Sequence, residues 1–130
     1  MKRDLKLKIT YKKTYNAKTP EYDSGLVLFS TKKYAITSGS SETISSGIML
    51  DLPENFNIIY KNITDLLNTP LFIKDVIIND KNEIQVIMGN YGDRPITINI
   101  GDKIAKILIV PVTKIDLIEA KNIDEKQDTE

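Results

Sequence analysis

Residues 101–112 read GDKIAKILIVPV. Gly101-Asp102 is a turn pair: glycine accepts backbone angles that other residues resist, and aspartate bonds to neighbouring backbone. The run that follows is dense in β-branched residues, which pack well on a pleated surface. Pro111 ends it by removing a ladder donor. The stretch predicts a tight turn and then a strand, with Ile104, Ile107 and Ile109 at core or interface positions.

The same grammar extends upstream. Ile96, Ile98 and Ile100 alternate with Thr97 and Asn99, the period of a strand with one wet face. LFIKDVII (71–78) and EIQVIMGN (83–90) flank Asn79-Asp80-Lys81-Asn82, a good hairpin turn. LVLFS (26–30), YAIT (34–37), TISSGIMLDL (43–52, ended by Pro53) and FNIIY (56–60) are further strands. Leu5, Leu7, Ile9 and Tyr11 alternate with Lys6, Lys8 and Thr10 at the start. TYNAKTPEYDSG (14–25) reads as a loop and SGSSE (38–42) as a turn. IDLIEA (115–120) can add a last edge segment. The one helical candidate is NITDLLNT (62–69), with Asn62 or Thr64 as cap. Many short strands with almost no helix predict an all-β fold, an antiparallel sandwich or jelly-roll barrel.

The 130 residues fit one domain, and a 41% apolar share suffices for a core. The formal net charge of +0 argues against strong nucleic-acid binding. Charge is nonetheless uneven. Lysines crowd residues 1–20, and carboxylates crowd residues 116–130; both runs are read as solubilising faces. The domain is expected over 1–118, with a polar, acidic, disordered tail over 119–130. Cysteine and histidine are absent, which removes zinc sites and Ser-His or Cys-His nucleophiles. A metal would have to be a hard cation on oxygen ligands. MKRDLKLKITY is no signal peptide, and no run reaches a membrane span, so a cytoplasmic protein is expected.

Four fragments in order carry a resemblance: AKTPEYDSGLVL (17–28), SSGIMLDLPENF (45–56), NEIQVIMGNYG (82–92) and INIGDKIAKILIVPV (98–112). Together they resemble the trimeric dUTPase family, whose motifs run Ala-x-x-Pro to Ser-Ala-Gly-x-Asp-Leu, then Thr-Gly-Ile to Leu-Pro-x-Gly. A Gly-Glu-Ile strand ending at Asn and Gly-Asp-Arg-Ile-Ala-Gln complete the set. The resemblance covers about residues 15–112. It implies a dUTPase-like β-clip, a distorted jelly roll, and a homotrimer with active sites at subunit boundaries. Gly25 and Gly47 are then points of close backbone approach or turning.

Transferred residue by residue, the resemblance finds few of the family's chemical groups. The Asp that orients hydrated Mg²⁺ falls on Val27, and Asp23 precedes the glycine. The phosphate-binding Arg-Ser-Gly motif falls around Lys61, Asn62, Ile63 and Thr64. The water-activating Asp falls on Ile77, or on Asn79 with a two-residue deletion, beside Asp80. No tyrosine stands in this hairpin, and the Gln of the fourth motif is Lys106. The tail NIDEKQDTE lacks the glycines of a nucleotide lid. Asp65, Asp75 and Asp80 otherwise read as solvated turn carboxylates.

These substitutions predict a non-catalytic member, with no assigned catalytic residue, that binds or sequesters a nucleotide-like ligand between subunits. Tyr60, Lys61, Asn62, Thr64, Asn79, Asp80, Lys81, Arg94 and Lys106 are the expected ligand contacts. No cofactor is expected, with Mg²⁺ entering only alongside residual hydrolysis. The Lys/Asn/Ile-rich composition suits a phage or viral genome rich in A and T. Two alternatives stand: a module that binds a regulatory protein, and a divergent but active dUTP pyrophosphatase.

Overall fold

A computed structural model describes residues 7–22, 24–63 and 66–122. Among the described residues ten strands follow one another: β1 (Tyr11–Lys13), β2 (Glu21–Tyr22), β3 (Leu26–Phe29), β4 (Tyr34–Ile36), β5 (Ser41–Leu50), β6 (Phe56–Lys61), β7 (Leu71–Ile78), β8 (Glu83–Asn90), β9 (Ile96–Ile98) and β10 (Lys103–Pro111). They form two four-stranded sheets, ordered β1-β5-β8-β7 and β2-β3-β10-β6, and a β4-β9 pair. Every pairing is antiparallel. The all-β expectation holds, with no α-helix among the described residues and none long and apolar enough to cross a membrane.

Period-two patterning builds the core. In β8, Ile84, Val86 and Met88 are fully buried. They join Ile44, Ile48 and Leu50 of β5 and Leu71 and Ile73 of β7. From the opposite sheet come Leu28, Ala105 and Ile107, while Ile36 and Ile98 enter from the β4-β9 pair. Each such aliphatic side chain contributes about 1.5–3 kcal/mol on burial. The opening stretch behaves as expected: Gly101 has φ 86°, Asp102 N–H donates to the Asn99 carbonyl (3.1 Å), and Ile104 and Ile107 are buried. Ile109 packs at the margin.

Gly47 turns a bulge in β5. Between Ser45 and Met49 the pairing with β8 slips, and Gly47 takes φ 69°, a region costly to residues with a Cβ. A Cβ there would lie 2.6 Å from Thr14 Oγ1, 2.7 Å from Ala17 Cβ and 2.8 Å from Thr31 Cγ2. The close approach expected of this glycine is therefore present.

Three local expectations change. The first strand begins at Tyr11, the last residue of the expected run, and extends to Lys13; Leu5 and Lys6 lie outside the described residues. The proposed 62–69 helix includes Thr64 and Asp65, also outside them. What is described is two tight turns: Leu66 N–H donates to the Ile63 carbonyl and Thr69 N–H to the Leu66 carbonyl, each at 3.1 Å. Leu66 has 3₁₀ geometry, and the residues after it turn into Pro70. The IDLIEA edge segment forms no strand. Its apolar residues are exposed, with Ile115 at 71%, Leu117 at 90% and Ile118 at 88%.

Candidate functional site

The β2-β3-β10-β6 sheet carries the first group of candidate residues. The registers set Glu21 opposite Val27, Val27 opposite Lys106 and Lys106 opposite Lys61. Directly paired residues share a face, so these four form one row across the sheet. The face is the one turned away from the core, because Leu28, Ala105 and Ile107, at alternate positions, point inward. Val27 is nevertheless buried, at 4% exposure. Lys106 is half-buried and Lys61 exposed.

Gly25 directs the Lys106 side chain. A Cβ at Gly25 would meet Lys106 Cγ at 2.7 Å and Cδ at 3.0 Å, so the stem lies flat over the glycine. It carries Lys106 Nζ to Ser24 Oγ, 3.4 Å away. Gly25 (φ 150°) and Ser24 (φ 50°) form the bend that permits this. The close approach expected of Gly25 is thus made by the Lys106 side chain.

Tyr60 does not join this row. It pairs with Ile107, a core residue, so its ring leaves the opposite face from Lys61. Its 38% exposure is at the rim of the core side. Asn62 is exposed beyond the end of β6, and Thr64 lies outside the described residues.

The β7–β8 hairpin forms the second group. Asn79 N–H donates to the Glu83 carbonyl (2.9 Å) and Asn82 N–H to the Asn79 carbonyl (3.0 Å). Asn82 takes φ 65°, closing a short turn with a left-handed final residue. Asn79 Oδ1 accepts from the N–H groups of Lys81 and Glu83, both at 2.9 Å. The Asn79 side chain is therefore spent on the turn. Asp80 is exposed at the tip.

Glu83 ties this hairpin to the β5 bulge. Its Oε2 accepts from Ser45 Oγ and, at 3.0 Å, from Gly47 N–H; Asn79 Nδ2 donates to Oε1 at 3.3 Å. Sequence reasoning treated Glu83 only as a motif letter. The signal available was its motif position together with the glycine four residues beyond Thr43. A cavity of about 690 Å³ lies beside this junction, lined by Tyr11, Lys12, Met49, Asp51, Lys81 and Glu83 among others. Lys81 thus reaches a concave surface.

Arg94 stands apart, exposed in the β8–β9 loop, where its carbonyl accepts from Asn90 Nδ2 at 2.8 Å. Buried Asn90 also donates to the Ile36 carbonyl (2.9 Å) and accepts from Gly92 N–H (2.9 Å). This side chain anchors the loop.

The resemblance puts the Asp that orients hydrated Mg²⁺ at Val27, and Asp23 lies outside the described residues. Val27 offers only hydrocarbon and is buried, and no group of three or more carboxylates converges among the described residues.

A dUTPase family model matches residues 11–130. Among curated relatives, the deoxyuridine 5'-triphosphate nucleotidohydrolase of Clostridium tetani (strain Massachusetts / E88) is 34% identical over 86% of this chain and 83% of its own length. The protein of that name from Alkaliphilus metalliredigens (strain QYMF) is 33% identical over 88% and 83%. Among solved structures, the Staphylococcus bacteriophage 80alpha dUTPase superposes with TM-score 0.78 at 16% identity, covering 91% of this chain and 99% of that one. A mutant dUTPase from phage phi11 of S. aureus, which coordinates a structural Mg(II) ion, gives 0.75 at 17% identity, covering 89% and 98%. The expectation of a non-catalytic nucleotide sponge is overturned here. The relatives are named as hydrolases, and their likeness extends over most of the chain.

Proposed function

The chain belongs to the dUTPase family, and we propose that it hydrolyses dUTP to dUMP and pyrophosphate as a homotrimer. The observation that carries this reading is the row on which β6 and β10 bring Lys61 and Lys106 together. The resemblance puts the phosphate-binding second motif around Lys61–Thr64 and the fourth motif's Gln at Lys106, and only a long-range register brings these two segments together. Two lysines paired across neighbouring strands suit a phosphate chain.

The β7–β8 hairpin lies on the other sheet. In the proposed trimer one copy would supply the hairpin and the next the lysine row. Asp80 at the exposed tip is the carboxylate available to take a proton from water, since the side chains of Asn79 and Glu83 serve the turn and the bulge. The water oxygen bonds to the α-phosphorus and the bond to the oxygen bridging the β-phosphate breaks. That oxygen leaves with pyrophosphate, and the water's proton passes to Asp80. Lys61 and Lys106 offset charge along the phosphates as it shifts toward the leaving group.

Pyrophosphate release by the purified chain, measured with dUTP, dCTP and dTTP in turn, tests the reading. Turnover on dUTP exceeding that on the other two is expected. A rate on dUTP no higher than that of buffer alone would sink it.

A further inference from the structure

Asp80 rides on a turn that is closed from both ends. Asn79 N–H donates to the Glu83 carbonyl (2.9 Å), Asn82 N–H donates to the Asn79 carbonyl (3.0 Å), and Asn79 Oδ1 accepts from the N–H groups of Lys81 and Glu83, both at 2.9 Å. This turn is moored to β5. Leu50 N–H donates to the Asn82 carbonyl (3.1 Å). The Glu83 carboxylate reaches further: Oε2 accepts from Ser45 Oγ and from Gly47 N–H (3.0 Å), while Oε1 accepts from Asn79 Nδ2 (3.3 Å). One half-buried side chain thus joins the tip of the hairpin to the bulge. The bulge is itself unyielding, because Thr14, Ala17 and Thr31 pack around Gly47. Hairpin tips are ordinarily among the most mobile parts of a sheet, so these ties point to a role for the tip's position.

Resting on the dUTP-hydrolase reading, we infer that Glu83 is a positioning residue, which holds Asp80 through Asn79 where it can accept the proton of the attacking water. A general base acts only within hydrogen-bond reach of its proton, about 2.6–3.2 Å. The exposed Asp80 side chain is placed only as firmly as the turn beneath it. A misplacement of about 1 Å costs about 10²-fold in rate. The Glu83–Asn79 link can be inverted without changing its shape. Glu83→Gln sets an amide donor against the Asn79 Nδ2 donor. Asn79→Asp sets two carboxylates face to face. With both substitutions the amide donates to the carboxylate, and the carboxylate at position 79 still accepts from the N–H groups of residues 81 and 83.

The experiment measures kcat and KM on dUTP for the full chain, both single variants, the double variant, and Glu83→Gln combined with Asp80→Asn. Assays run well below each variant's unfolding temperature, so lost stability alone leaves kcat unchanged. Each single variant should lower kcat by about 10²-fold with KM near the parent value. The double variant should recover most of that loss. In the Asp80→Asn background Glu83→Gln should cost nothing more, because the residue it positions is already inert. Amide hydrogen exchange over 79–83 should quicken in each single variant and slow again in the double. Asn79→Asp breaks the same link from the turn side and keeps the comparison if Glu83→Gln does not fold. An unchanged kcat in Glu83→Gln overturns the inference and leaves the hydrolase reading intact. So does Asn79→Asp matching or exceeding the parent, since a carboxylate at position 79 would then do the chemistry. No recovery in a folded double variant, or a further loss in the Asp80→Asn background, overturns it too. No turnover on dUTP by the parent chain overturns both readings.

Discussion

Replacing Gly47 by alanine tests the link between the β5 bulge and the packing around it. Two costs are separable. The first is conformational: at φ 69° an L-residue sits in the left-handed region, which costs about 1–2 kcal/mol. The second is steric. The new methyl would lie 2.6–2.8 Å from atoms of Thr14, Ala17 and Thr31. Ala17 and Thr31 are themselves buried, so those neighbours have little room to yield. Overpacking of this kind costs about 1–3 kcal/mol. Gly101 supplies the internal control, since at φ 86° it bears the first cost but has nothing within 4 Å of an added Cβ. Gly47→Ala should therefore lose about 2–5 kcal/mol and Gly101→Ala about 1–2 kcal/mol. Urea unfolding at one fixed protomer concentration reads the difference, because association shifts apparent stability. Equal midpoints for the two variants would refute the steric argument. So would loss in Gly101→Ala alone.

Further outcomes follow from the same contacts. Glu83→Gln keeps an acceptor for Ser45 and Gly47 but turns an amide donor toward Asn79 Nδ2, and should cost about 1–2 kcal/mol in the same unfolding assay. Asn90→Ala removes three hydrogen bonds at a buried site and leaves carbonyls of Ile36 and Arg94 without that donor; about 2–4 kcal/mol of lost stability is expected. Asp80→Asn should leave the unfolding midpoint unchanged and lower kcat on dUTP by about 10²–10⁴-fold, as for loss of a general base. An unaltered kcat would remove Asp80 from the chemistry.

The parts of the fold legible in the sequence were those governed by local rules. Alternation in EIQVIMGN announced the buried face of β8, and Gly47 and Gly101 announced positive φ. An edge segment at IDLIEA was not formed, because apolar residues alone say nothing about whether a neighbouring strand exists to pair with. At 62–69 a cap and two leucines suggested a helix, but the described segment forms turns before Pro70. The candidate site depended on distant pairings. Tyr60 and Lys61 look like one ligand patch in sequence; the β6–β10 register sends them to opposite faces. Conversely, the register aligns Val27, Lys106 and Lys61 from three separate segments. The step from missing motif residues to missing activity failed because each position was judged by residue type alone. Residue type at Val27 or Lys106 does not by itself decide whether the chain turns over a nucleotide.

Hydrolysis of dUTP in heavy-oxygen water, with mass analysis of both products, tests the central claim most directly. Turnover with the heavy oxygen carried by dUMP is predicted, since water bonds to the α-phosphorus. Absence of turnover, or label appearing in the pyrophosphate, would contradict it.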